Sequence, residues 1–239
     1  MLLDEEGHVA AHEAAIVNGS VDPGHPAVGA LHSGNKAACT ATLIGSRTVL
    51  TAAHCVMDKS HNLYSPVNFY IGGLYSGTKY VASSVHPHPS YAGGNQSDIA
   101  VVRLSKTVTG VSPMPIASAA PFKGESVVLV GYGLPGENQG KYGTKRKASN
   151  VIAKVSSQIF SMNGASGAQG NLCDGDSGGP TFAMRGGQEV QIGVHSTKGG
   201  ACGVQGNDMR VDVFRSWIIQ KAGGDVVGTG PSDQQAPQV

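Results

Sequence analysis

The sequence predicts an all-β protein, an antiparallel sandwich or barrel, on three observations. Short β-rich runs recur with turn residues between them, glycine is abundant at 35 of 239 residues, and helical periodicity is convincing in one stretch alone. A chain of this length fits one large domain or two small halves packed together, and can bury a hydrophobic core.

The strand-like runs are taken in chain order. Ala41–Ile44 and Thr48–Ala53 form the first pair, parted by Gly45-Ser46. Val67–Ile71 ends at Gly72-Gly73, Ile99–Leu104 comes after a loop of Gly, Asn and Ser, and Val127–Tyr132 is bracketed by Gly124 and Gly133. Val151–Val155 and Val190–His195 complete the set. In the helix, Val213, Phe214, Trp217 and Ile218 fall on one face, Lys221 sits in the last turn, and Gly223-Gly224 stops it. From Gly223 the composition turns to Gly, Pro, Ser, Gln and Asp, so 223–239 is expected to be a disordered tail.

Composition excludes several functions. A net charge of +1, with 14% charged residues, gives no electrostatic case for nucleic acid or an anionic membrane surface. Lys141, Lys145, Arg146 and Lys147 cluster, but Gly143 interrupts them between two strand candidates, which reads as a solvated loop. No apolar run approaches the roughly 18 residues of a membrane span. Met1–Ala15 carries Asp4, Glu5, Glu6 and Glu13 without an apolar centre, so it is not an intact signal peptide. The cysteines, Cys39, Cys55, Cys173 and Cys202, are an even set without C-x-x-C spacing. Zinc wants clustered ligands, so two disulfides and an oxidising compartment are the better reading. Composition alone leaves open four reduced thiols in the cytosol.

Three local motifs carry chemistry. Thr51-Ala52-Ala53-His54-Cys55 puts a histidine at the end of an apolar strand. Ser97-Asp98-Ile99-Ala100-Val101 puts a carboxylate at the mouth of another, and Gly175-Asp176-Ser177-Gly178-Gly179-Pro180 puts a serine in a tight turn of glycines. A serine hydroxyl is a poor nucleophile at neutral pH and needs a base within hydrogen-bond reach. Histidine suits that task because its ordinary pKa lies near neutrality, and a buried carboxylate holds its second ring nitrogen in the right tautomer. The glycines let main-chain N–H groups converge, and those of Gly175 and Ser177 are the natural donors to a developing oxyanion. The glycine turn also fits the G-x-S-x-G elbow of α/β-hydrolases, but that fold needs the order Ser, acid, His and alternating helices. The order here is His, Asp, Ser.

These motifs resemble the trypsin and chymotrypsin family of serine proteases. The likeness runs from about Ile16 to Ala222 and includes the spacing of His54, Asp98 and Ser177, the Gly131-Tyr132-Gly133 stretch and the closing helix with Trp217. It implies two perpendicular six-stranded antiparallel β-barrels with a C-terminal helix and the active site in the cleft between them. His54 and Asp98 would come from the first barrel and Ser177 from the second, with Cys39 paired to Cys55 and Cys173 to Cys202. The implied organisation is an N-terminal extension or propeptide over 1–15 and a protease domain over 16–222. The implied protein is a secreted monomer, extracellular or periplasmic, acting on polypeptides without a cofactor, with an activating protease and proteinaceous inhibitors as further partners.

Ile16-Val17-Asn18-Gly19 looks like the mature amino terminus of that family. Cleavage before Ile16 would free an ammonium that pairs with Asp176, which then turns inward. Ala15 stands before that bond instead of Lys or Arg, so a tryptic activator is not expected. Resemblance places Asn171 at the floor of the specificity pocket with Leu172 beside it, and the walls in Val194–Lys198, including His195, Ser196 and Lys198, and in Gly206–Asp208. Trypsin-like enzymes carry Asp at the floor position, so the preference is expected to be neutral first, acidic second and basic third. Some glutamyl endopeptidases carry a histidine where His195 stands, though Asp208 would simply bind it in the plainer reading. No metal is expected: His86-Pro87-His88 has no third ligand beside it, and Tyr70–Tyr80 has none of the carboxylates of calcium-binding relatives.

Overall fold

The computed structural model describes residues 16–36, 38–137, 139–164 and 169–227. The expected propeptide, 1–15, and most of the expected tail, 228–239, lie outside the described residues. The strands of the first half are β1 (Ser20–Val21), β2 (Val28–Ser33), β3 (Cys39–Leu43), β4 (Thr48–Thr51), β5 (Val67–Ile71), β6 (Thr78–Pro87) and β7 (Ala100–Leu104). The second half holds β8 (Ser126–Gly131), β9 (Arg146–Val155), β10 (Ile159–Asn163), β11 (Pro180–Arg185), β12 (Gln188–Lys198), β13 (Gln205–Arg210) and the helix α1 (Val211–Lys221).

All pairings between strands are antiparallel, and they close two six-stranded barrels. The first runs β2-β3-β4-β7-β6-β5, and the second runs β8-β9-β10-β13-β12-β11 with β1 added against β9. Closure removes the exposed strand edges that an open sheet of this size would offer. The seven strand candidates all fall on observed strands. The missed ones include β6, none of whose residues is buried, and β13, whose polar sequence QGNDMR hides its place in the core.

The first barrel is filled by apolar side chains, among them Leu31, Leu43, Leu50, Phe69, Val101 and Leu104, all buried. The second is filled by Ile16, Leu129, Ile152, Phe160, Met162 and Ile192. On α1 the buried stripe is Val211, Phe214 and Ile218, whereas Val213, expected on that face, is 44% exposed. One residue along a helix is a rotation of about 100°, so Val213 points well away from its buried neighbour Phe214.

Two expectations need correction. The segment from Gly223 is docked at its start: the Asp225 carboxylate accepts hydrogen bonds from Ser46 N, Arg47 N and Thr48 Oγ1, and Val227 N bonds Ile44 O. Its Gly-rich composition conceals one aspartate whose partners are far away in sequence. The basic cluster is not wholly a loop, because Arg146 and Lys147 open β9, and Lys145 Nζ bonds the carbonyls of Gly24 and His25.

Register positions the chemistry. Thr51 at the end of β4 lies opposite Ala100 at the start of β7. His54, in a single 3₁₀ turn over Ala53–Cys55, and Asp98 are therefore neighbours although 44 residues apart. The two barrels are joined behind the serine turn by Thr40 N bonding Ser177 O at 2.8 Å.

Candidate active site

Asp98 is fully buried. Ser97 before it adopts φ 51°, a left-handed conformation that costs a non-glycine residue energy and persists where surrounding contacts hold it. The Asp98 carboxylate accepts three hydrogen bonds: from His54 N at 2.9 Å, from His54 Nδ1 at 2.7 Å, and from Ser196 Oγ at 2.6 Å. The bond to Nδ1 leaves Nε2 to serve as base, and the bond from the main chain fixes where the ring is anchored. The histidine side chain is 24% exposed, so the cleft reaches it.

Ser177 lies in the turn before β11, across the cleft. Gly178 takes φ 80°, and Thr51 Oγ1 and Thr40 O leave no room for a side chain there. Gly178 N bonds His195 O, and Cys55 Sγ lies 3.5 Å from Ser177 O. Among the described residues no hydrogen bond closes between Ser177 Oγ and His54 Nε2. Such bonds are often long in an enzyme without substrate and shorten in the Michaelis complex.

The turn before the serine is held from several sides. Gly175 takes φ 92° and lies under the Tyr142 ring. Its carbonyl accepts Thr40 Oγ1 at 3.0 Å, and the carbonyl of Asp174 accepts Leu134 N at 2.7 Å. The Asp174–Gly175 peptide therefore has its oxygen committed to Leu134 and its N–H directed the other way. Neither Gly175 N nor Ser177 N has an acceptor among the described residues. Thr40 was not legible in the sequence as part of the site, because no local signal links it to Gly175.

Asp176 is fully buried, and burial pushes its carboxyl up to about 6, while hydrogen bonds from Cys173 N and Gly133 N, each 2.9 Å, pull the other way. The carboxyl expected to turn inward on pairing is already inward, because these two main-chain donors hold it. Ile16 is also buried, and Val17 and Asn171 exchange two main-chain hydrogen bonds.

Next to Ser177 is a cavity of about 290 Å³ lined by Leu172, Cys173, Asp174, His195, Ser196, Thr197 and Lys198 as well as the serine. Asn171, Gly206 and Asp208 do not line it. The Asn171 amide donates to the carbonyls of Met162 and Asn163 and accepts Leu172 N, so it holds the wall instead of forming an open floor. Gly206 leaves space for Asn171 and Leu172, and a side chain there would strike both. Asp208 lies opposite His195 in the β12–β13 register; it accepts Nδ1 at 3.0 Å and the Thr181 hydroxyl. His195 is fully buried, and its Nε2 has no partner. Lys198 Nζ lies 3.5 Å from Asp174.

Cys39 is bonded to Cys55 and Cys173 to Cys202. Two groups of possible metal donors, Cys39–His54–Cys55 and Cys173–Asp174–Cys202, thus have both sulfurs oxidised and one donor left each, which does not make a metal centre. His86 Nε2 bonds Ser84 Oγ, and the His88 ring packs 4.8 Å from that of Trp217 and 5.1 Å from that of Phe214.

The Trypsin family model matches residues 16–218. The chain belongs to the trypsin family of serine proteases. Serine protease SP24D of Anopheles gambiae is 30% identical to this trypsin-family chain over 222 residues, covering 86% of it and 80% of the relative. Phenoloxidase-activating factor 1 of Holotrichia diomphalia is 26% identical over 76% of the chain, which spans 60% of that longer protein. Among solved structures, mouse neuropsin has the same fold, with a TM-score of 0.72 over 86% of this chain and 99% of its own at 24% identity. The trypsin-family protein is a serine-type endopeptidase with two closed barrels and two disulfides.

Proposed function

We propose that this endopeptidase works through an acyl-enzyme on Ser177, with His54 as general base, Asp98 as the group that orients and stabilises it, and the N–H groups of Gly175 and Ser177 as oxyanion donors. The observation that carries the reading is the His54–Asp98 pair, a 2.7 Å bond on a fully buried carboxylate facing a serine turn with two uncommitted N–H groups. Ser177 attacks the carbonyl while His54 takes its proton. His54 then protonates the leaving amine, and water repeats the sequence to free the acid. Each oxyanion donor contributes about 2.7–4 kcal/mol to lowering the barrier.

The chain acts as a secreted monomer made as a zymogen, switched on by cleavage before Ile16. Support comes from the buried Asp176: an ionised carboxylate there is unfavourable, and the ammonium of a new Ile16 terminus would offset that cost. The sign follows from the raised pKa. Below the ordinary aspartate value of 3.8 both folded and unfolded chains are protonated, and stability is lost as pH rises towards about 6. The loss amounts to roughly 3 kcal/mol, and the new ammonium removes it. Ala15 before the cut fits a neutral preference, which would let the enzyme or another protease of that preference activate it.

Specificity is non-tryptic and neutral first. Both carboxylates near the cavity are already paired, Asp208 with His195 and Asp174 with Lys198, so neither is free to hold a Lys or Arg side chain. One observation favours acidic side chains as a second reading: the buried His195 Nε2 without a partner. Cleavage profiling of the chain processed to Ile16 tests these together. Cuts after neutral residues are expected, with His195→Ala removing any acidic preference; cuts mainly after Lys or Arg would overturn the reading, and full activity with residue 15 still attached would reject the zymogen. A catalytically silent relative, used for binding alone, would cut nothing.

A further inference from the structure

A second depression is tied to His54 through Lys36 and is separate from the cavity beside Ser177. It has a volume of about 440 Å³ and is lined by Gly34, Asn35, Lys36, Leu63, Tyr64 and Ser65, all from the first barrel. The Lys36 ammonium donates to the main-chain carbonyl of His54 and lies 5.6 Å from the centre of the Tyr64 ring. An ammonium has three donors, and the His54 carbonyl uses one. No carboxylate lies within ion-pairing distance of Lys36 among the described residues. Leu63, 51% exposed, gives the same depression an apolar edge.

The two depressions share no lining residue: the first touches Ser177, and the second reaches His54 through Lys36. A substrate with one side chain in the Leu172–Lys198 cavity runs extended through the reacting carbonyl. At about 3.3 Å per residue, the first residues beyond the scissile bond reach the His54 side. That is also where His54 must deliver a proton to the leaving amine. The Cys55 sulfur lies 3.8 Å from His54 Nε2 and 3.5 Å from Ser177 O, so a leaving segment drawn towards His54 passes the Cys39–Cys55 disulfide on its way to Lys36.

Resting on the acyl-enzyme mechanism of Ser177 and His54, we infer that Lys36, with Tyr64 and Leu63, forms a binding site for an acidic side chain one or two residues after the scissile bond. The Lys36 ammonium supplies the charge and two open donors, and Leu63 and the Tyr64 ring cover the aliphatic stem of a glutamate. Burial depresses the Lys36 pKa and the Asp98 charge opposes that shift, so an incoming carboxylate keeps the ammonium charged as it binds. A lysine that merely capped the His54 carbonyl would show no preference for the sign of the leaving segment.

The test uses the full chain after processing and peptides identical up to the scissile bond, with Glu, Gln or Lys at each of the next two positions. Initial rates are read by mass spectrometry of both products. At one of the two positions kcat/KM for Glu is expected to exceed that for Gln by about fivefold, as for a partly shielded ion pair, and the ratio falls as salt is added. Lys36→Gln brings the ratio near one, Lys36→Glu reverses it in favour of Lys, and Lys36→Arg keeps it. Equal rates for Glu and Gln at both positions in the unmodified enzyme overturn the inference, as does a ratio that survives in Lys36→Gln. The wild-type ratio and its salt dependence decide the matter even where a variant fails to fold. Cleavage of no peptide at all, with Ser177 inert to a fluorophosphonate, refutes the acyl-enzyme mechanism instead, and with it the inference.

Discussion

The two barrels share a topology but bury different chemistry. Inside the first, the buried polar residues are mostly hydroxyls, such as Thr40, Thr42, Thr48 and Thr51, with Asp98 as the one buried carboxylate there among the described residues. Inside the second stand Asn171, Asp176, Gln191, His195 and Asp208, and the Glu125–Arg185 ion pair is buried as well. The first barrel is thus an apolar platform, with packing as its main support, that holds His54, the proposed base. The second is a polar framework held by hydrogen bonds and ion pairs, and it carries Ser177, the proposed nucleophile, with the cavity beside it and the Asp176 carboxyl. One half rests on apolar packing, and the other on paired polar groups.

The sharpest way to break this comparison is at Asp98, the buried carboxylate of the platform. Asp98→Asn keeps the shape but leaves His54 in the wrong tautomer, and kcat should fall about 10⁴-fold with little change in melting temperature. Steady-state kinetics beside a thermal melt checks both halves of that statement. In the second barrel the effect should be on stability. Asp208→Ala leaves His195 Nδ1 and the Thr181 hydroxyl without their acceptor, where the side chains are fully buried, and should cost about 1–3 kcal/mol in urea unfolding. A loss under about 1 kcal/mol would mean the polar framework is not holding the cavity. Asp225→Ala removes the acceptor of Ser46 N, Arg47 N and Thr48 Oγ1 from the edge of the first barrel and should cost about 2–3 kcal/mol.

The smallest effect concerns the seam between β1 and the second barrel. Burial alone would depress the His25 imidazole, but hydrogen bonds to Asp22 at 2.7 Å and Glu189 at 2.9 Å more than offset it and raise it to about 9. A raised histidine pKa contributes stability that is fully present below 6.5 and lost as pH rises through about 9. A decline of roughly 1–2 kcal/mol is expected across that window, after solvent screening, and His25→Gln should flatten it. A profile unchanged by the substitution would show that the clamp contributes nothing.

Legibility in the sequence divides along the same line. Thr48–Thr51 and Ala100–Leu104 are apolar runs that announce themselves, and the motifs at their ends pointed to His54 and Asp98. The pairing of those motifs came from resemblance and the register, since nothing local ties residue 54 to residue 98. The second barrel was harder. QGNDMR reads as a loop until Asp208 is seen opposite His195, and Asn171 looked like a pocket floor until its amide proved committed to main-chain carbonyls. Thr40 and Lys36 carried no signal at all. Their roles arise from contacts with Gly175 and His54 that only the closed fold creates.

The most direct measurement is labelling of the processed chain with a fluorophosphonate, followed by mapping of the modified residue. One adduct on the residue 177 oxygen is predicted, formed quickly in the unmodified protein and nearly abolished by His54→Ala. A folded, processed protein that takes up no label, or that reacts as fast without the imidazole, would contradict the account.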